Sequence, residues 1–207
     1  PNDRLNLRNV YPDESIHSVN SEMSLFNERS DSNMTLLGEW KADYTGYCRA
    51  VATIGDTVLF GAGSWLEIVD MSEPGNPIRL GRLGLGGFFY TIELWDDHAF
   101  VFTDHISIIN IADLTNPELV GEINLPEGWF WWGDQEFSIA DSTLFVSLRE
   151  SGDSDELHIY NISNPSEPEP LGSFNLTEPL AYNTFPIADS YLLVTHFSGG
   201  FTILDVN

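Results

Sequence analysis

Aromatic side chains recur in the loops of this sequence, where exposed rings could bind a ligand by stacking. One run of four is contiguous and is flanked by Gly128 and Gly133, which interrupt strand pairing. Flat amphipathic rings stack on sugars or hold a peptide. The alternative is that such rings pack as core, although strand alternation cannot bury four consecutive rings on one side. The aromatic residues predicted to bind are Trp129, Phe130, Trp131, Trp132, Tyr90 and Tyr182.

Two polar residues join this predicted binding set. Arg49 and Asp134, like Tyr90 and Tyr182, each stand seven residues before an Asp that ends a short strand. Equivalent positions in successive repeats lie at equivalent places in space, so these four residues are expected to line one rim of the fold. The complete predicted site is therefore a mixed polar and aromatic surface.

Catalytic and metal-binding chemistry has weaker support in the sequence. Four residues that could assemble such a site are Asp104, His105, Asp134 and His196. Nothing in the sequence fixes their distances, and isolated histidines are usually surface or hydrogen-bonded groups. The acidic segment 149–156 lacks the glycine spacing of an EF-hand, so an ordinary solvated loop is favoured there over a calcium site. We therefore predict no catalytic residue, no metal ion and no cofactor.

The elements that position these loops belong to a repeat. Five strand-like segments end in Asp or Asn: MSLFN at Asn27, LEIVD at Asp70, ISIIN at Asn110, LHIYN at Asn161 and FTILD at Asp205. They are separated by 43, 40, 51 and 44 residues, close to the length of a four-stranded propeller blade. A proline follows seven residues after three of these positions. A glycine follows eleven residues after four of them, at Gly38, Gly81, Gly121 and Gly172.

The chemistry of the repeat predicts an antiparallel meander. The Asp or Asn precedes Ser, Pro and Asn residues, which favour a turn held by side-chain to backbone hydrogen bonds. Turn dipeptides near residues 55, 96, 140 and 188 indicate hairpins before the next strands. No stretch shows helical periodicity over the usual length. We expect four-stranded antiparallel sheets, helix below about 10%, and a structural rather than catalytic role for the Asp or Asn.

Three segments resemble the LVIVD repeat: LEIVDMSEPGNPIRLG, ISIINIADLTNPELVG and LHIYNISNPSEPEPLG. The resemblance covers about residues 23–207. It implies an all-β propeller, and a repeat found mainly in exported or surface-attached proteins of bacteria and archaea, most of which lack an assigned activity. It also implies a location outside the cell, on its surface or in the periplasm.

The repeats predict about four blades plus a partial one. Residues 23–40 supply the last two strands of one blade and residues 182–205 the first three of another. In one interpretation the strand near Leu37 completes the last blade of a closed four-bladed ring. We favour the other, a segment of a larger ring whose partner is the remainder of a larger propeller chain. Residues 1–22 are irregular and form either a linker or a blade remnant.

Charge narrows the classes of partner. The chain has 8 Lys and Arg against 32 Asp and Glu, a formal net charge of −24. Such a surface repels phosphate backbones and anionic lipids, and no apolar run reaches membrane-spanning length, so neither nucleic acid nor membrane insertion is expected. The favoured function is a noncatalytic, secreted or cell-surface binding module for a protein or a glycan. The alternatives are a propeller hydrolase or lyase acting at the tunnel mouth, and a structural spacer in a larger surface protein.

Overall fold

The computed structural model describes residues 35–41, 46–126, 137–149, 155–176, 181–187, 191–196 and 199–206. These ranges contain fifteen strands, all within one compact unit that begins at Leu37. Across the described residues there is no helix, which confirms the all-β prediction. The predicted boundary between residues 22 and 23 lies outside the described residues.

Each strand pairs antiparallel with the next strand of its sheet, and the four resulting sheets are called blades 1 to 4 in chain order. Blade 1 consists of β1 (Val51–Ile54), β2 (Thr57–Ala62), β3 (Trp65–Asp70) and β4 (Ile78–Gly84). Blade 2 consists of β5 (Thr91–Trp95), β6 (His98–Phe102), β7 (Ile106–Asn110) and β8 (Glu118–Ile123). Blade 3 consists of β9 (Phe137–Ala140), β10 (Thr143–Arg149), β11 (Asp155–Asn161) and β12 (Glu169–Leu176). Blade 4 has three described strands, β13 (Ala181–Ile187), β14 (Tyr191–His196) and β15 (Phe201–Asp205).

The hairpin between the first two strands turns at the predicted dipeptide in blades 1 and 2 and one residue after it in blade 3, whereas the turn predicted near residue 188 lies outside the described residues. In blade 1, Ile54 pairs with Thr57, which leaves a two-residue loop. The first loop residue has a positive φ in blades 1 to 3: 56° at Gly55, 50° at Asp96 and 51° at Asp141. Asp tolerates this left-handed conformation better than most residues, which explains why DD and DS serve where blade 1 uses GD.

The repeat glycines occupy one position in consecutive blades, as the sequence predicts. Gly81 pairs with Ile68, Gly121 with Ile108 and Gly172 with Ile159. A bulge follows at the same step in these three blades. The next residue of the third strand pairs with the residue that stands two positions before the glycine, so the residue between them is left unpaired. The eleven-residue offset from the Asp or Asn to the glycine is therefore made up of a seven-residue turn, two paired residues, one bulged residue and the glycine itself.

The Asp or Asn closes the turn between the third and fourth strands. The backbone N–H of Ser72 donates to Asp70 Oδ1 at 2.8 Å, and the N–H groups of Ala112 and Ser163 donate to the side-chain oxygens of Asn110 and Asn161 at 3.0 Å. The hydrogen bonds from Ser72, first from its backbone and then from its side chain, lower the pKa of Asp70 below its ordinary value. The predicted structural role of these residues is confirmed.

Glycine is required at positions 81 and 121 because a turn of the following blade lies directly on each of them. A Cβ atom at Gly81 would overlap the carbonyl oxygen of Leu114, and one at Gly121 would overlap that of Pro165. Leu114 and Pro165 each stand four residues after the Asn of their own blade. The glycine thus permits close backbone approach between consecutive blades.

Three apolar clusters join consecutive blades, one between each pair. In blades 1 to 3, the residues two and four positions before the Asp or Asn belong to the cluster shared with the following blade. We call the sheet surface that carries these two positions in any blade the forward face. Ile68 of blade 1 packs in the same cluster as Val101 and Ile111 of blade 2, for example. Between blades 3 and 4 the buried hydroxyls of Ser138 and Thr184 also form a hydrogen bond of 2.8 Å.

Candidate functional site

Two residues of the predicted site are in contact across neighbouring blades. Arg49 precedes β1 and Tyr90 precedes β5, and the guanidinium carbon of Arg49 lies 5.7 Å from the centre of the Tyr90 ring. This distance permits a cation–π interaction. Equivalent sequence positions in successive blades are therefore neighbours, which is the geometry that the seven-residue offset predicts.

Arg49 and Tyr90, with Tyr47 and Phe88, line an open cavity of about 440 Å³, which we call the aromatic groove. Tyr47 is 72% exposed and Phe88 is 54% exposed, and their ring centroids are 6.1 Å apart at an interplanar angle of 57°. Exposed ring faces of this kind can stack on a planar or apolar group of a ligand. The sequence places Tyr47 and Phe88 in the same loops as the predicted set, but it gives no signal that they pair across two blades.

Glycines fix the backbone on both sides of the aromatic groove. A Cβ at Gly46 would overlap the backbone of Gly63, whose N–H donates to the carbonyl of Tyr47 at 3.3 Å. On the other side, Gly86 and Gly87 have φ values of 77° and 66° immediately before Phe88. These close contacts and left-handed conformations hold Tyr47 and Phe88 on short, constrained segments.

A further glycine contact positions the segment that carries Phe88 and Tyr90. Gly61 faces Phe89, and a Cβ at this glycine would overlap the Phe89 side chain, which is buried beneath the groove. The backbone N–H of Tyr90 donates to the Phe102 carbonyl at 2.9 Å. Phe89 therefore anchors the segment in the core while its neighbours Phe88 and Tyr90 face the groove.

Arg49 is an exposed cation that forms no ion pair with any residue the structure describes. By contrast, Arg79 contacts the buried Glu67 carboxylate at 2.7 Å, and Lys41 contacts Glu39 at 3.3 Å. Among the described residues the Arg49 guanidinium contacts only an aromatic ring, an arrangement that it shares with Arg82 although the chain carries 32 acidic residues. It leaves the five N–H donors of Arg49 available to an acceptor on a ligand.

The remaining predicted binding residues have no described side chains. Trp129, Phe130, Trp131, Trp132 and Asp134 lie outside the described residues. The backbone of Tyr182 lies in β13. The prediction that these residues bind a ligand therefore stays a prediction.

A serine, a histidine and an aspartate form a hydrogen-bonded chain in blade 2. Ser107 Oγ lies 3.0 Å from His105 Nε2, and His105 Nδ1 lies 2.7 Å from Asp104 Oδ1. This order of groups is that of a nucleophile, a base and an orienting carboxylate. However, Ser107 is 1% exposed while the Asp104 side chain is 82% exposed. The hydroxyl is therefore inaccessible to a substrate, and this cluster does not support the hydrolase alternative.

The described residues considered for a metal site lie in different blades. Asp104 and His105 lie in blade 2, whereas His196 lies in blade 4 with its Nε2 2.8 Å from Thr202 Oγ1. Among the described residues, no group of three His, Cys, Asp or Glu side chains could hold a metal ion. Asp134 and residues 150–154 of the acidic segment lie outside the described ranges.

No helix among the described residues is long and apolar enough to cross a membrane. Cys48 is exposed and unpaired.

The comparisons with known proteins agree with this architecture. Residues 152–176 match the LVIVD repeat. No curated protein sequence is significantly similar to this chain. The fold is similar to that of the computationally designed Ika4 protein, with a TM-score of 0.61 and 9% identity over 85% of this chain and 100% of Ika4.

Two natural proteins share the fold. The β-propeller domain of Cps50 (Swd1) from Myceliophteria thermophila has a TM-score of 0.61 and 14% identity over 77% of this chain. BamB from Moraxella catarrhalis has a TM-score of 0.54 and 14% identity over 76% of this chain. This chain spans 54% and 45% of those two chains, and at such identities the similarity shows the fold alone. The repeat match, the blade register and these structural similarities together identify the chain as a β-propeller that contains an LVIVD repeat.

Proposed function

We propose that this protein is a noncatalytic binding module that holds a segment of a partner protein in the aromatic groove. The observation that carries this proposal is the exposed Arg49 guanidinium, unpaired with any described carboxylate and enclosed by Tyr47, Phe88 and Tyr90. Aromatic and arginine side chains dominate the energetics of protein interfaces. Constrained backbone on both sides of the groove reduces the entropy lost on binding.

The ligand group that fits the groove combines two chemical features. An apolar or planar part would lie against the rings of Tyr47 and Phe88, and a carboxylate or carbonyl oxygen would accept hydrogen bonds from Arg49. A peptide with an aromatic or aliphatic side chain next to an acidic one offers both. A glycan rich in uronic acids has similar chemistry and is the competing ligand class.

The site of action that we propose is extracellular, on the cell surface or periplasmic. The LVIVD repeat supports this location, and the net charge of −24 suits a highly solvated surface. We further propose that this chain forms part of a larger ring, completed by the remainder of a larger propeller chain or by a second copy, since it spans only 54% and 45% of two natural proteins with this fold.

The test is a binding titration of the chain against peptide and glycan panels. We expect Arg49→Gln to weaken binding of an acidic peptide at least about tenfold, the usual effect of losing a charged hydrogen-bonding group. Arg82→Gln is the matched control, because Arg82 is also exposed and lies 4.8 Å from the Trp65 ring outside the groove. Equal affinities for the two variants would contradict the groove assignment.

Further arms of the titration separate the alternatives. Trp131→Ala tests the predicted aromatic run, and a loss of binding there would extend the site beyond the groove. Binding confined to uronic-acid glycans would replace the protein partner. If neither panel binds and both variants behave like the wild type, the spacer interpretation is the correct one.

A further inference from the structure

The forward face of blade 4 exposes side chains that the other blades bury. Phe201 and Ile203 stand four and two residues before Asp205, and they are 62% and 54% exposed. At these two offsets the first two blades bury all four residues completely, and blade 3 buries Leu157 completely. Strand register extends the exposed apolar surface to Phe185, Ile187 and Tyr191, which are also exposed.

Blade 4 also has an open edge among the residues that the structure describes. In blades 1 to 3 the third strand pairs with a fourth strand. The glycine of that fourth strand lies opposite the residue that stands two positions before the Asp or Asn. β15 is the third strand of blade 4, and no described strand pairs with its outer edge. Open apolar edges of this kind recruit another strand.

Residues 37–41 have the position and the sequence of a fourth strand without a sheet. Leu37 and Gly38 match the apolar–Gly pair of the other fourth strands, such as Leu80 and Gly81. A Cβ at Gly38 would overlap the carbonyl oxygen of Pro74 in blade 1, which is the contact that Gly81 makes with blade 2.

Trp40, the aromatic residue of this segment, also contacts blade 1. Trp40 packs edge-on against Phe60 of blade 1 with ring centroids 5.3 Å apart, and the Arg79 guanidinium lies 5.2 Å from its ring. Residues 37–41 therefore lie where the outer strand of a blade preceding blade 1 would lie, and they pair with no described strand.

We propose that the forward face of blade 4 is an interface for a second copy of this chain. Residues 37–41 of the second copy add to β15 as its fourth strand, and blade 1 of that copy covers the exposed forward face. The repeat register places Gly38 opposite Ile203, Glu39 opposite Thr202 and Trp40 opposite Phe201. The same contact formed twice closes a twofold ring of eight blades, a number found in natural propellers.

The proposed interface has the same kind of packing as the three contacts between consecutive blades within the chain. The five exposed apolar side chains offer on the order of 100 Å² each. Two such seams bury roughly 2,000 Å² in total, the size of a stable protein–protein interface. Residues 37–41 and blade 1 of a second copy carry the outer strand and the covering sheet that the forward face of blade 4 lacks among the described residues. Each copy carries a net charge of −24, so salt should strengthen the association.

The first test is the mass of the chain by analytical ultracentrifugation across protein and salt concentrations. We expect a dimer that dissociates at low salt. Phe201→Asp with Ile203→Asp should give a monomer, whereas Leu119→Asp, at an exposed apolar position of β8, should remain a dimer. A wild type that is monomeric throughout, or a series of higher aggregates that Ile203→Asp does not change, would overturn the proposal.

The second test is independent of folding changes at the apolar face. In a Cys48→Ser background, one copy carries Glu39→Cys and the other carries Thr202→Cys. Mixing the two should yield a cross-linked heterodimer on oxidation or with a short bismaleimide, since directly opposed residues have Cβ atoms about 5 Å apart. Either copy alone should not cross-link. A chain carrying both cysteines that cross-links only within itself would show instead that residues 37–41 close the last blade of the same chain.

Discussion

Asp70, Asn110 and Asn161 each act through a single side-chain oxygen. In Asn110 this oxygen accepts the N–H of Ala112, and the residue that follows, Ile111, donates its own N–H to the Asp97 carbonyl at 2.8 Å. The side chain thus satisfies a backbone donor that the ladder leaves unpaired. Either Asp or Asn supplies the acceptor, which explains why the repeat alternates between them.

Replacing the acceptor should destabilise the chain without affecting binding. We expect Asn110→Leu to lower the free energy of unfolding by about 1 kcal/mol, the usual effect of a lost side-chain hydrogen bond. Asn110→Asp keeps the acceptor and should differ little from the wild type. Urea denaturation measures both, and an equal loss for the two variants would show that the hydrogen bond is not the cause.

The repeat glycine should tolerate no side chain. Gly121→Ala places a methyl group against the backbone carbonyl of Pro165, which cannot rotate away, so we expect a loss of about 1 to 3 kcal/mol. Gly84→Ala is the control, because its Cβ would meet only the ring of Trp65 at 3.2 Å. Thermal unfolding of the two variants gives the comparison, and equal melting temperatures would contradict it.

The pairing of β11 with β12 includes a polar link on one surface of blade 3. Ser173 Oγ donates to Glu156 Oε1 at 2.7 Å, and His158 Nε2 lies 2.9 Å from Glu156 Oε2. The hydrogen bond from Ser173 is the main reason that the pKa of Glu156 lies below its ordinary value of 4.5, and His158 adds to the effect. The ionised form of this carboxyl therefore stabilises the pairing of the two strands.

This link predicts a pH dependence with a defined sign. Because the pKa of Glu156 is lower in the folded chain than in the unfolded chain, its contribution is complete above the unfolded value and is lost as the pH falls through the folded value. The stability difference between the wild type and Glu156→Gln should therefore shrink as the pH falls from about 6 to about 3. Denaturation at each pH measures it. Glu169→Gln, in the same sheet, is the control, and a difference that grows on acidification would refute the assignment.

The sequence predicts the elements better than the contacts between them. The offsets from Asp70, Asn110 and Asn161 to their glycines specify turn, bulge and strand pairing, because all three are local. The reason for the glycine is not local, since the carbonyl of Pro165 that lies on Gly121 comes from the next blade.

The candidate site shows the same limit. Arg49 and Tyr90 are found by counting within a repeat, and the structure brings them together. Tyr47 and Phe88 become neighbours only when two loops from different blades meet. Conversely, the sequence suggests a catalytic role for Asp104 and His105 from their chemical groups alone. It does not show that Ser107, the hydroxyl that contacts His105, lies on a buried face of β7.

Over the whole molecule, charge opposes compaction. A net charge of −24 on 207 residues raises the free energy of the folded chain through repulsion among its carboxylates. Salt screens this repulsion, since the Debye length falls from about 30 Å at 0.01 M to about 8 Å at 0.15 M.

The chain should therefore be more stable in salt. We expect the urea midpoint to rise as NaCl increases from about 0.01 M to about 0.15 M. KCl is the control for a specific ion effect and should act equally. A midpoint that falls with either salt would show that attractive ion pairs such as Arg79 with Glu67 outweigh the repulsion.

The contacts of Gly38, Gly81 and Gly121 with the following blade all run in one direction along the chain, toward the C-terminus. Gly81 is covered by Leu114 and Gly121 by Pro165, so the outer strand of a blade gains its packing partner only after about one more repeat has been synthesised. During synthesis on the ribosome, the outer strand of a blade would therefore stay exposed until the next repeat has folded against it. Folding would proceed toward the C-terminus about one repeat behind elongation. A stalled nascent chain should always expose the outer strand of its last completed blade, and that strand is where a chaperone would bind.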